Sequence, residues 1–138
     1  RPRNRGCRRL PHMPTIAIVD DDEAVREALG DLLMVSGLAC QCFESAPAFL
    51  TALRSRRFDS LVTDIRMPEM TGIELIEKLH EEHAQLPVVV LSSVLDDATR
   101  TKALALGASA WLGKPVTDEH LLDAIATAME NSDPGAAR

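Results

Sequence analysis

Three consecutive carboxylates, Asp20-Asp21-Asp22, follow the apolar run TIAIV, and a lone carboxylate, Asp64, follows SLVT. The run PVVVL leads into Ser92-Ser93, and ASAWLG leads into Lys114-Pro115. Carboxylates gathered at one place repel one another unless a cation neutralises them. Oxygen donors with no His or Cys beside them suit a hard ion, and a small octahedral ion that keeps some of its water is Mg2+. Asp64 is the natural nucleophile of such a group, since a carboxylate that attacks a phosphoryl group forms an acyl phosphate. That transfer needs positioning and charge neutralisation more than covalent help. Mg2+, the Lys114 ammonium and the Ser92 hydroxyl would supply both to the three phosphoryl oxygens.

Each residue taken alone has a plainer reading. Asp20 to Asp22 could cap a helix, where acids favour the positive end of the dipole. Asp64 could be a turn residue before MPEMTG, Ser92 and Ser93 loop formers, and Lys114 a solvated lysine. The pair His80 and His83 in HEEH lacks the HExxH spacing and reads as a solvated helix end. The chemical reading rests on all four positions falling on one rim of one sheet.

The elements that would bring them there follow from periodicity. Short apolar runs bounded by turn signals, at 15–19, 38–43, 59–63, 87–91 and 109–112, read as strands buried in a parallel sheet. Between them lie helical stripes: Val25, Ala28, Leu29 and Leu32; Ala46, Phe49, Leu50 and Leu53; Gly72, Leu75, Ile76 and Leu79; and Leu122, Ile125, Ala126 and Met129. Gly37 closes the first helix as a left-handed cap. The stripe at 96–106 (Thr99, Lys102, Ala103, Leu106) is thin and marks either marginal packing or an element that moves. Strict alternation with long crossovers predicts an α/β, doubly wound, five-stranded parallel sheet of the flavodoxin-like kind. Strand order 2-1-3-4-5 sets the ends of strands 1 and 3 side by side at the switch point, where ligands bind in such sheets. It brings the acidic triplet to Asp64.

The 138 residues predict one domain. The longest apolar runs are far too short to span a membrane, and no signal-peptide pattern is present. Cys7, Cys40 and Cys42 form an odd set without zinc-like spacing, which predicts a reducing, cytoplasmic setting. Cys40 and Cys42 share a face of a predicted strand and read as small hydrophobes. The net charge of −6 hides two populations. Residues 1–12 (RPRNRGCRRLPH) hold five arginines and no acid, leaving 10 basic against 21 acidic residues from Met13 onward. This basic stretch reads as a tag or non-native extension. The acidic remainder argues against direct nucleic-acid binding, because phosphate backbones repel it. Residues 132–138 read as a tail or the start of a linker.

The stretches IVDDDEAVREAL, FESAPAFL, LVTDIRMPEMTGIEL, PVVVLSS and LALGASAWLGKPV together resemble bacterial response-regulator receiver domains, from Met13 to about Asn131. DIRMPEMTG and ESAPAFL look most like the nitrogen-fixation-type regulators, whose receivers usually precede a LuxR-type helix-turn-helix domain. The resemblance implies that Asp64 is the phosphoacceptor and that Asp20 and Asp21 are the acidic metal pair. It implies that Arg66 offers Mg2+ its backbone carbonyl and that Ser92 is the switch hydroxyl. Trp111 stands at the switch aromatic position, Lys114 at the phosphate-binding lysine, and the Lys114–Pro115 peptide at a cis bond. A sensor histidine kinase is the implied phosphoryl donor. The implied signalling surface comprises the 96–106 helix, the 109–112 strand and the 117–130 helix, which would form a homodimer or dock an output domain. Two departures stand out: the switch aromatic is Trp rather than Tyr or Phe, and Val116 replaces the Phe that often follows Lys-Pro.

The function implied is a phosphoaspartate receiver that controls transcription through an output domain absent from these residues; the alternative is a stand-alone single-domain regulator. A haloacid-dehalogenase-like phosphatase would also use an Asp nucleophile and Mg2+. Ala24 stands where that family expects Thr or Val, and the chain is too short for its cap. A phosphorylation-independent interaction module would be expected to lack one of the key residues, and none is missing.

Overall fold

The computed structural model describes residues 14–67, 69–82, 85–93, 97–114 and 116–132. The basic stretch 1–12, His83, Asp96, Pro115 and residues 133–138 therefore lie outside the described residues. Five strands alternate with five helices in the order β1 (Thr15–Val19), α1 (Glu23–Val35), β2 (Ala39–Phe43), α2 (Ala46–Leu53), β3 (Ser60–Thr63), α3 (Gly72–Glu81), β4 (Val88–Ser92), α4 (Asp97–Ala105), β5 (Ala110–Gly113) and α5 (Asp118–Ser132). All strand pairs are parallel, and the sheet order is β2-β1-β3-β4-β5, as the alternation predicts.

The uninterrupted apolar runs form the central strands because both of their faces are covered. Successive residues of β1 serve two different cores, since side chains alternate across a strand. Ala17 and Val19 join Phe49, Leu75, Ile76 and Ala103 beneath α2, α3 and α4. Ile16 and Ile18 join Leu33, Leu121 and Ile125 beneath α1 and α5. The edge strands β2 and β5 are less buried, with Cys42 and Gly113 exposed.

Polar residues fix where the helices begin. The Asp22 carboxylate accepts from the Ala24 N–H at 2.9 Å and caps α1. Ser45 caps α2, and Thr71 and Glu74 form a reciprocal capping box on α3. Gly37, at φ 84°, ends α1 in the left-handed conformation that its position requires. Two stripes are phased differently from their periodicity. On α1 Leu33 is buried and Ala28 exposed; on α5 Leu121, Ile125 and Ala128 are buried and Ala126 is exposed. Both helices carry apolar residues over a wide arc, so packing against the twisted sheet selects the buried line. The thin stripe of α4 is real, because Ala103 is its one fully buried residue.

Candidate functional site

Register decides which residues meet at the carboxyl end of the sheet. Val19 pairs with Thr63, so Asp20 and Asp64 step off adjacent strands at the same level. The Asp64 N–H donates to the Val19 carbonyl at 3.1 Å, carrying the pairing one residue past β3. Across the other half of the sheet Ser92 pairs with Gly113, and the Lys114 N–H donates to the Ser92 carbonyl at 2.8 Å. Asp20, Asp64, Ser92 and Lys114 thus stand on one rim.

The carboxylates are held by backbone on one side and face charge on the other. Asp20, 3% exposed, accepts the Asp22 N–H on Oδ1 at 2.9 Å, and Asp64 accepts the Ile65 N–H on Oδ1 at 2.7 Å. Their second oxygens face the Lys114 ammonium, at 3.4 Å from Asp20 Oδ2 and 3.3 Å from Asp64 Oδ2. Asp21 points outward, yet one oxygen from each of Asp20, Asp21 and Asp64 lies within 4.8 Å of the others. Asp22 takes no part in this group, because capping α1 occupies it. Burial pushes the Asp20 carboxyl above its ordinary range, and repulsion from Asp64 adds to the rise. The Asp22 N–H and the Lys114 ammonium act in the opposite direction. Three carboxylates sharing one ammonium remain net negative. Their oxygen-only donor set and spacing fit a small hard dication such as Mg2+.

Arg66 is exposed and lines, with Asp21, Met67 and Thr71, a shallow depression of about 460 Å3 beside the carboxylates. Ser92 is fully buried at the end of β4. Trp111 lies opposite Val90 on β5, half-buried against the core beneath α3 and α4. The expected cis Lys114–Pro115 bond involves Pro115 and lies outside the described residues.

Two positions escaped sequence reasoning. The Arg26 guanidinium donates from Nη1 to the Asp20 carbonyl at 2.7 Å, tying the first turn of α1 to the rim. An arginine in the first turn of a helix opposes the helix dipole, which is the signal that marked it. Gly72 opens α3 against the strand that carries Asp64. A methyl group there would overlap the Asp64 carbonyl and stand 2.9 Å from Ile65 Cα, and the Gly72 N–H donates to the Ile65 carbonyl at 2.9 Å. Gly72 falls within the apolar stripe of α3, so periodicity counted it as core; its poor helix propensity was the clue.

Residues 16–126 match the response regulator receiver domain family. The chain is 43% identical over 115 residues to the response regulator protein TmoT of Ectopseudomonas mendocina, covering 83% of this chain and 52% of TmoT. It is 35% identical over 121 residues to the transcriptional regulatory protein FixJ of Bradyrhizobium diazoefficiens, covering 88% of this chain and 59% of FixJ. The chain therefore spans about half the length of these curated relatives. The crystal structure of full-length FixJ from B. japonicum superposes with a TM-score of 0.85 at 34% identity, covering 90% of this chain and 61% of that one.

Proposed function

Since this chain belongs to the response-regulator receiver family, we propose that it is a phosphoaspartate switch in which Asp64 accepts a phosphoryl group from a sensor histidine kinase. The observation that carries this reading is the convergence of Asp20, Asp21, Asp64 and Lys114 from three separate strand ends. An Asp64 oxygen attacks the phosphorus of a phosphohistidine, the P–N bond breaks, and an acyl phosphate remains on Asp64. Lys114 already stands within reach of the Asp64 carboxylate and pairs with the added phosphoryl oxygens. Asp20, Asp21, Asp64 and the Arg66 carbonyl would hold Mg2+, which when bound neutralises the charge gathered there. Ser92 turns toward the phosphoryl group, and Trp111 follows by packing more deeply beside α4. The surface made by α4, β5 and α5 then dimerises or docks an output domain.

The same reading places the protein in the cytoplasm, and among the described residues no helix is long and apolar enough to cross a membrane. Control of transcription would come through a separate DNA-binding module, as the FixJ likeness suggests. The acidic receiver itself does not bind nucleic acid.

Acetyl phosphate with Mg2+ should add one phosphoryl group to the wild-type chain, as a hydroxylamine-labile adduct, and none to Asp64→Asn. Undiminished labelling of that variant overturns the assignment. Beryllofluoride should shift the emission of Trp111, the sole tryptophan, and raise the mass in light scattering. If beryllofluoride binds and neither signal changes, the coupling through Trp111 fails while Asp64 stands.

A further inference from the structure

On the face of the sheet that carries α1, the edge strand β2 presents two thiols side by side. Cys40 and Cys42 are two residues apart, so their side chains leave the strand on the same side. The Cys40 thiol donates to the Gly30 carbonyl at 3.9 Å and the Cys42 thiol to the Arg26 carbonyl at 3.7 Å. Gly30 leaves space above both: a methyl group there would stand 3.4 Å from Cys40 Sγ and 4.0 Å from Cys42 Sγ. Arg26, Gly30 and Met34 follow one another at intervals of four and so form one stripe of α1. That stripe and the two cysteines line a cleft of about 510 Å3. Met34 is 69% exposed there, so core packing does not account for it. Both cysteines are free.

The spacing favours a bridge over a disulfide. Same-face neighbours on a strand have Cα atoms about 6.6–6.8 Å apart, the upper limit of what a disulfide spans. An atom bonded to both sulfurs at about 2.3 Å each spans up to about 4.6 Å between them, a looser requirement than a disulfide's.

We propose that Cys40 and Cys42, with the Met34 thioether lining the same cleft, bind a soft monovalent cation of the Cu(I) class. Thiolate and thioether donors select soft ions. Among the described residues, the one group of three or more His, Cys, Asp or Glu side chains close enough to share an ion is Asp20-Asp21-Asp64. The cleft therefore does not assemble the four donors that tetrahedral zinc takes, and an ion of low coordination number fits it. Glu23, Glu27 and Asp31 outnumber Arg26 among the charged groups lining the cleft, so its net negative charge draws a cation toward it. Binding forms two S–metal bonds and releases the two thiol protons to solvent, with no electron transferred. Partial burial of the sulfur within the cleft and the neighbouring Cys40 push the Cys42 thiol up, against the opposing pull of the Arg26 guanidinium, so occupancy falls as pH falls.

The test uses the full chain with Cys7→Ser, so that residue 7 contributes no sulfur, titrated anaerobically with Cu(I) against a coloured Cu(I) chelator. One equivalent should bind per monomer, on the order of 100-fold more tightly than to a Cys40→Ser/Cys42→Ser variant, which is two powers of ten in affinity. Met34→Leu should weaken binding by roughly tenfold, a smaller step in the same measure. Circular dichroism and urea unfolding of the double variant show whether its fold is intact. Equal affinity in a folded double variant overturns the site. So does half an equivalent bound in a chain that has become dimeric, since the ion would then bridge two copies. If the double variant does not fold, Cys42→Ser alone, at the exposed thiol, takes its place: weakened binding supports the site and unchanged affinity overturns it.

Discussion

The two flanks of one face of the sheet are built to different standards. On one side α2, only eight residues long, buries Ala46 and Phe49 completely. Phe49 there meets Phe43 and Phe58, with the three ring centroids 5.5–5.9 Å apart in tilted and edge-on arrangements. On the other side α4, one residue longer, buries Ala103 alone and leaves Leu104 exposed. Its neighbour Trp111 is half-buried. Both flanks adjoin the same carboxylate rim. A perturbation at the rim would therefore meet a stiff wall toward β2 and a yielding one toward β5.

The largest test removes the stiff wall. Phe49→Ala should cost about 3–5 kcal/mol, the range for deleting a buried phenyl ring, read from the urea midpoint. A loss below about 1 kcal/mol would mean that this flank is no better packed than the other.

A smaller effect is expected at the rim between the flanks. The Asp20 pKa lies above its unfolded value, so its contribution favours folding at acid pH and is lost as pH rises through the folded value. At neutral pH the ionised, buried carboxylate is a cost. Metal-free Asp20→Asn should therefore melt higher than wild type at pH 7, and the difference should shrink on acidification. Millimolar Mg2+ should raise the wild-type melting temperature more than that of the variant. A variant less stable than wild type without metal would show that the Lys114 pairing outweighs burial.

Next in size, Ala103→Gly should lower the local stability of α4 by about 1 kcal/mol, the helix-interior cost of glycine. Hydrogen exchange of the α4 amides should accelerate while that of α2 is unchanged. Equal acceleration in both helices would make the face one cooperative unit and erase the contrast. The smallest effect concerns Lys102, whose ammonium lies 3.6 Å from Glu77 on α3 with both side chains well exposed. Lys102→Ala should change stability by no more than about 0.5 kcal/mol, so charge is not what holds α4 in place.

The rim was more legible in the sequence than the packing behind it. Apolar runs that end in Asp20, Asp64, Ser92 and Lys114 carry both the strand and its terminal group, and parallel order follows from the long crossovers. Helix phase was less legible. On α5 the doublets Leu121-Leu122, Ile125-Ala126 and Ala128-Met129 offer two adjacent apolar lines, and only the position of the sheet chooses between them. The stiffness of the α2 flank was hidden because Phe58 lies outside any periodic segment. Close approach was hidden too, since the requirement at Gly72 arises from the Asp64 carbonyl, which is near in space but well back along the chain.

Lys114 follows Asp64 by 50 residues and Asp20 by 94. On a ribosome working at about 5–20 residues per second, roughly 3–10 s separate the synthesis of Asp64 from that of Lys114. Through that interval the nascent chain holds its carboxylates without the ammonium that faces them in the finished domain, and β4, once made, waits for its outer neighbour β5. The ammonium thus arrives only after every carboxylate of the rim has been made, and a chain truncated before residue 114 would carry Asp64 but not its counter-charge.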